Sequence, residues 1–225
     1  MKYTCALFDL DGTLIDTESM YAAINQEFIN LYGDGKKYDW ETRKQVMGKS
    51  AEYANPIIIK AHHISKTKED MVKFKKERLA QRCEEVKPFP KALEILKFLK
   101  QKGLKIAIAT SSAKTIFETK MKNNQELLQC VDVIVCGDDS SVHHSKPAPD
   151  IFIRAAELCG EKDMSKTIVF EDAVNGVEAG LASGAFTIAI PDIHIKDDPI
   201  FNRVPIVLES LKDFKPEMIG LEGEI

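Results

Sequence analysis

No apolar run in the sequence approaches the roughly 20 residues that a membrane-spanning helix needs. The first residues also lack the long apolar core of a secretory leader, so the expected setting is the cytoplasm, with no membrane partner. Cysteine is scarce and scattered: Cys5, Cys83, Cys130, Cys136 and Cys159, with no C-x-x-C pair. That pattern offers neither a metal knuckle nor a disulfide framework, and reduced thiols are the expectation. Positive charge is not in excess. The net charge of −4 argues against nucleic acid as a partner, because a phosphate backbone is gripped by a basic face. Internal repeats and low-complexity tracts do not stand out. What remains, 225 residues with 44% hydrophobic and 29% charged side chains, suits an ordinary soluble protein with a sizeable core. No segment marks an oligomeric surface, so a monomer is expected.

Short apolar runs recur at residues 3–8, 104–109, 131–136, 167–170 and 185–190. Longer amphipathic stretches lie between most of them, at 92–100, 114–121, 150–159 and 173–181. Buried parallel strands alternating with crossover helices produce that rhythm. The expected fold class is therefore α/β, a Rossmann-like core with a parallel sheet covered on both faces. Gly103 after one helical stretch, and Pro147 and Pro149 before another, punctuate it accordingly. One interval breaks the rhythm. About 90 residues separate the first two strands, against roughly 10–15 for an ordinary crossover. Residues 17–32, 40–47, 51–63 and 68–84 within it read as helices. The expectation is an inserted all-helical cap domain, residues 17–86, in a core formed by residues 1–16 and 87–225. Pro88 and Pro90 force an extended return to that core.

In open α/β sheets, ligands bind beyond the carboxyl ends of the strands. The first strand ends in Asp9 and Asp11 of "FDLDGT", the second in Thr110, Ser111 and Ser112. The third leads through a polar loop to Lys146, and the fourth, "TIVFED", ends in Glu171 and Asp172. Each has an ordinary explanation. "LFDLDGTLID" could be a hairpin with an Asp-Gly turn. The hydroxyl cluster could be helix capping, with Thr115 and Glu118 spaced as a capping box. Lys146 could be a solvated loop lysine, and Glu171 and Asp172 could complement a helix dipole. All four would have to coincide on one sheet edge. Chemistry supplies a single alternative. A divalent ion keeps neighbouring carboxylates such as Asp9 and Asp172 ionised, and all-oxygen ligation with few carboxylates suits Mg²⁺. A cation, a lysine, a hydroxyl and helix N-terminal amides together cradle a phosphoryl group. Asp9 then sits where a carboxylate nucleophile belongs. Asp11 can protonate the leaving oxygen and later take a proton from water.

These residues resemble the haloacid dehalogenase superfamily, in its branch with a helical cap after the first motif. "DLDGT" is similar to the nucleophile motif, Thr110 to the second, Lys146 of "KPAPD" to the third, and Glu171–Asp172 to the fourth. The resemblance implies a Mg²⁺-dependent phosphatase that works through an aspartyl-phosphate at Asp9. It further implies a metal held by Asp9, Asp172 and the main-chain carbonyl of Asp11, with Glu171 as a ligand or as a group orienting water there. Phosphate would be bound by Thr110, Ser111 and Lys146, the lysine also steadying Asp9. Within the superfamily, "KYDWETRKQVMGKSA", "VFEDAVNGVEAGLASG" and "LKDFKPEMIGL" are similar to the pseudouridine-5′-phosphatase family and its eukaryotic relatives. A small phosphorylated metabolite such as pseudouridine 5′-phosphate is the implied partner, with glycerol phosphate and (deoxy)sugar phosphates as alternatives.

A dehalogenase is disfavoured, since such members lack the second aspartate, present here as Asp11. A β-phosphoglucomutase-like phosphotransferase stays open. Those enzymes carry an arginine after the cap's Gly-x-Ser, where "GKSA" supplies Ala51, with Lys49 nearby. A non-catalytic phosphate-binding regulatory protein is the alternative of a different class. Substrate choice falls to the cap, where Glu18, Tyr21, Met47 and Lys49 are the candidates. Equally, Tyr21 and Met47 could pack the cap and Lys49 could be solvated. The basic run from Lys66 to Arg82 is expected to form the wet face of an amphipathic helix.

Overall fold

The first apolar run becomes the buried centre of a sheet. In the computed structural model, which describes residues 2–225, it forms β1 (Cys5–Phe8), and all four of its residues are fully buried. There follow β2 (Ile15–Asp16), α1 (Glu18–Tyr32), α2 (Trp40–Val46), α3 (Ala51–Ala61), α4 (Lys68–Arg82) and β3 (Lys87–Pro88). The chain continues through α5 (Ala92–Gln101), β4 (Lys105–Thr110), α6 (Lys114–Met121), α7 (Gln125–Leu128) and β5 (Val133–Cys136). It ends with α8 (Asp150–Leu158), β6 (Thr167–Glu171), α9 (Val174–Ser183), β7 (Phe186–Ala189) and β8 (Ile206–Val207).

Six strands form one sheet in the order β5-β4-β1-β6-β7-β8, paired in parallel throughout. Strand alternation sends Ala6 and Phe8 to one face and Cys5 and Leu7 to the other. The first pair joins a core with Ile95, Leu99, Ile108 and Phe170, the second a core with Phe152, Ala155 and Val169. Helices therefore cover both faces, which is why these strands read as continuous apolar runs. Phe8 stacks on Phe170 of β6 with ring centroids 4.4 Å apart. The register sets Phe8 level with Ile108 and Phe170, so Asp9, Thr110 and Glu171 emerge at one edge. The hairpin alternative for "LFDLDGTLID" is thereby corrected. Gly12 N–H does donate to the Ile15 carbonyl, but β1 takes both of its strand partners from parallel neighbours.

Helices α1 to α4 lie between β2 and β3, which pair antiparallel as a two-residue stem (Ile15 with Pro88, Asp16 with Lys87). Elements this short show no periodicity, and the stem was not expected. The helices share a core of Phe28, Ile29, Tyr38, Ile58, Ile64 and Met71. A capping box does occur, at Thr67 and Asp70 before α4. The alternative one at Thr115 and Glu118 does not. Helix α6 starts two residues earlier than such a box requires, with Ala113 at the cap position, and the Lys114 amide donates instead to Asp138, at 2.9 Å.

Three contacts seat the helical segment on the sheet. Trp40 of α2 stacks on His194, in the loop after β7, with centroids 3.6 Å apart, and Arg43 covers its other surroundings at 3.8 Å from the ring. Asn175 of α9 donates to the Gly48 carbonyl at 2.9 Å. Met47 packs among Val177, Ala189 and Ile195. Among the described residues no helix is long and apolar enough to cross a membrane, and the five cysteines are free.

Candidate active site

The Asp9 amide extends the β1–β6 ladder by donating to the Phe170 carbonyl, which fixes the carboxylate at the strand end. Asp9 is buried, as is Lys146 opposite it. Lys146 Nζ donates to Asp9 Oδ1 at 2.5 Å, to Glu171 Oε1 at 2.7 Å and to the Ala109 carbonyl at 3.1 Å. An ammonium has three protons, so none is left over. Glu171 is equally committed: its second oxygen accepts from the amides of Asp172 and Ala173, both at 2.9 Å. The carboxylate of Asp172 accepts from Thr13 Oγ1 at 3.0 Å. Two glycines make this density of acids sterically feasible. Gly12 has φ +89°, and a Cβ there would meet Asp172 Oδ2 at 2.2 Å. At Gly176 a Cβ would lie 1.7 Å from Glu171 Oε1.

Asp11 belongs to a separate clamp. Lys120 of α6 donates to both of its oxygens, at 2.6 and 2.7 Å, and to Ser112 Oγ at 2.8 Å. Thr17 Oγ1 and Ser112 Oγ each donate to one Asp11 oxygen, at 2.7 and 3.1 Å. The two aspartates of "FDLDGT" thus have a lysine each, and their environments drive them apart. Burial pushes the Asp9 carboxyl up to about 7; Lys146 opposes this, while Glu171 and Asp11 add to it. Burial acts on Asp11 in the same direction but is outweighed by the charge and hydrogen bonds of Lys120, which hold the carboxyl below its usual range. Asp172 is raised well above its ordinary value by burial and then by Glu171 and Asp9.

That last pair identifies what the site is suited to hold. Asp9 and Asp172 are buried acids whose combined charge Lys146 alone does not offset, and a divalent cation would reverse the shift of both. Among the described residues no three acidic, histidine or cysteine side chains converge as a complete metal cage. Mg²⁺ does not require one, since it keeps several waters and takes one or two carboxylates. The donor set fits a hard cation bound at Asp9, Asp172 and a main-chain oxygen.

The remaining expected residues are distributed unevenly. Thr110 is buried with its hydroxyl accepting from the Ser112 amide at 3.1 Å. Ser111 and Lys146 help line a cavity of about 210 Å³ beneath Ser50 and Tyr53 of the helical segment, with His143 on its rim. Tyr21 reaches the site from α1: its ring centroid lies 4.9 Å from Lys120 Nζ. Glu18 is instead engaged by Arg43, at 3.1 and 2.8 Å. Met47 packs, as noted, and Lys49 is exposed. The basic run of α4 needs one correction. Lys75 is turned inward onto Asn55 Oδ1 at 2.7 Å rather than joining the wet face. Lys120 was not anticipated at all, although a signal existed: it shares the buried stripe of α6 with Phe117 and Met121.

Comparison with known proteins agrees with this geometry. A family model described as "Hydrolase: haloacid dehalogenase-like hydrolase" matches residues 3–184. The chain is 35% identical over 222 residues to "(DL)-glycerol-3-phosphatase 1, mitochondrial" of Arabidopsis thaliana, covering 97% of this chain and 74% of that one. It is 32% identical over 222 residues to the "Probable pseudouridine-5'-phosphatase" of Drosophila melanogaster, covering 98% and 95%. In fold it is similar to CbbY from Rhodobacter sphaeroides, solved in complex with phosphate, with a TM-score of 0.80, 22% identity and coverage of 94% and 96%. Taken with the sheet-edge acids and Lys146, the match over most of the chain settles its kinship: the protein belongs to the haloacid dehalogenase-like hydrolase family.

Proposed function

We propose that this phosphatase releases phosphate from a small phosphorylated metabolite through an aspartyl-phosphate at Asp9, with residues 17–86 acting as the substrate-selecting cap. The observation that carries the proposal is the division of the aspartate pair, Asp9 gripped by Lys146 and Asp11 by Lys120. Lys146 engages only Oδ1 of Asp9, so Oδ2 is the oxygen placed to attack, whereas both oxygens of Asp11 are engaged. Asp11, whose ionised form Lys120 favours, must take up a proton before this step; that proton passes to the departing oxygen as the Asp9 carboxylate oxygen bonds to phosphorus and the ester P–O bond breaks. Water then attacks the acyl-phosphate, and Asp11 removes its proton, so inorganic phosphate leaves and Asp9 is regenerated. Thr110 and the Ser111 loop orient the phosphoryl oxygens, while Lys146, its three protons held by Asp9, Glu171 and the Ala109 carbonyl, contributes positive charge beside them. Mg²⁺, held by Asp9, Asp172 and the Asp11 main-chain carbonyl, would supply charge neutralisation at those oxygens when bound. Glu171, already committed to Lys146 and two amides, orients the site rather than binding the ion directly.

Pseudouridine 5′-phosphate leads the substrate candidates, supported by the near full-length likeness to the Drosophila protein. The comparable likeness to the Arabidopsis protein keeps glycerol phosphate beside it. A phosphotransferase would have to grip a second phosphate near Ala51, where Lys49 is exposed and the adjacent Glu52 is an acid paired with Lys68. The test is a kcat/KM panel of pseudouridine, uridine, glycerol, sugar and flavin monophosphates, run with wild type and Asp9→Asn. Turnover that vanishes in Asp9→Asn supports the mechanism; near wild-type rates in that variant would refute it. Equal rates on uridine and pseudouridine monophosphates would remove the specific substrate and leave the phosphatase.

A further inference from the structure

A lysine inside a protein loses several kcal/mol of hydration, and only good pairing offsets that loss. Lys120 is 1% exposed on a helix stripe where leucine or methionine would pack without cost. Its surroundings show what it does there. All three of its donors are spent on one assembly: two on the oxygens of Asp11 and one on Ser112 Oγ, which itself donates to Asp11. The other contact to Asp11 comes from Thr17, the residue capping α1 at the start of the helical segment. Three separate segments therefore converge on one carboxylate, and only Lys120 touches both of its oxygens. The Tyr21 ring, 4.9 Å from the ammonium, covers the assembly from the helical segment.

Thr17 holds Oδ1 and Ser112 holds Oδ2, and Lys120 ties both oxygens to the Ser112 hydroxyl, so without it each oxygen rests on a single hydroxyl. We propose that Lys120 is a positioning residue for the acid–base step: it holds the Asp11 carboxylate in the one orientation from which a proton reaches the departing ester oxygen. The inference rests on the reading of Asp11 as the acid–base group. Proton transfer depends on heavy-atom placement within hydrogen-bond reach. Losing Lys120 therefore penalises esters whose leaving group needs a proton, and spares those whose leaving group does not.

The experiment compares an alkyl phosphate from the panel with p-nitrophenyl phosphate, in Asp11→Ala, Lys120→Met, Lys120→Arg and the Asp11→Ala/Lys120→Met double variant. For Lys120→Met the expected result is a kcat lower by about 10²-fold on the alkyl ester and by less than about tenfold on p-nitrophenyl phosphate, with little change in KM. Lys120→Arg restores part of the alkyl-ester rate, and the double variant is no more selective than Asp11→Ala alone. Where Lys120→Met does not fold, Ser112→Ala carries the test, with a smaller loss in the same direction. Equal losses on both esters in Lys120→Met, alongside selective loss in Asp11→Ala, would overturn the role of Lys120 and leave that of Asp11 standing. Unselective loss in Asp11→Ala itself would overturn the acid–base reading and this inference with it.

Discussion

At the sheet edge, Lys146 and Lys120 give up water for carboxylates; inside the helical segment, Lys75 finds only the amide oxygen of Asn55, at 2.7 Å. The outcomes diverge accordingly. Burial, near complete for Lys146 and Lys120 and partial for Lys75, acts to discharge all three lysines. Asp9 and Glu171 keep Lys146 protonated, Asp11 keeps Lys120 protonated, and Lys75, with no acid beside it, is pushed down to about 7. Asn55 Nδ2 and Asn25 Oδ1, both within the same segment, are buried without hydrogen-bond partners among the described residues. The edge spends its buried charges in satisfied networks that hold reacting groups in place. The helical segment carries polar groups left short of partners, each a cost to its own packing.

Removing compensation at the edge is the severest way to test the contrast. Lys146→Met leaves Asp9 and Glu171 facing one another without a cation, and the expected loss is about 3–5 kcal/mol in urea denaturation, along with turnover. Adding bulk there is the next. Gly176→Ala drives a methyl into the Glu171 carboxylate and should cost about 1–3 kcal/mol, read by the same titration.

Metal addition is gentler. Asp9 is raised to about 7 and Asp172 is raised as well, so the metal-free fold is favoured by protonation, and for Asp9 its stability falls as pH rises from the ordinary carboxylate range to about 7. Mg²⁺ binds the deprotonated pair. Its stabilisation in a thermal melt should therefore be larger at pH 8 than at pH 6, and EDTA should abolish the difference. A shift that does not vary with pH would show that these carboxylates are not the ligands.

Relieving the helical segment should do the opposite of stripping the edge. Below about pH 7 Lys75 is charged in the folded state and its burial cost is fully expressed. Between there and the usual lysine range the unfolded chain binds a proton that the folded one does not, so stability rises with pH. Lys75→Met should raise the melting temperature at pH 6 by about 2–4 °C, on the order of 1 kcal/mol, with the gain shrinking by pH 9. A loss of stability would mean that Lys75 has a partner in solution.

Legibility in the sequence followed the same division. The buried strands were readable because both faces are apolar, Asp9, Glu171 and Asp172 because they stand at the ends of such runs, and Lys146 because the polar loop after the third run leads to it. Their convergence needed only the rule that parallel strands end on one side. Lys120 was not readable as a site residue, because its helix packs beside the sheet and only tertiary placement brings Nζ to Asp11. The inward turn of Lys75 was hidden in a run of basic residues whose other members mostly point to water or to surface acids, as Arg82 does to Glu85. The alternative of Thr115 as a cap lies two residues from the observed cap, Ala113, and the Lys114 amide bonds to Asp138 instead.

The stack of Trp40 on His194 has an optical consequence. Trp40 is the sole tryptophan of the chain, held between an imidazole from the sheet side and a guanidinium from its own helix. Fluorescence of the unlabelled protein therefore comes chiefly from an indole at the boundary between the two units. Any displacement of α2 from the β7 loop separates the rings, and emission intensity and wavelength change with it. Stopped-flow mixing with substrate would time that movement without a dye, and His194→Ala supplies the spectrum of the unstacked ring.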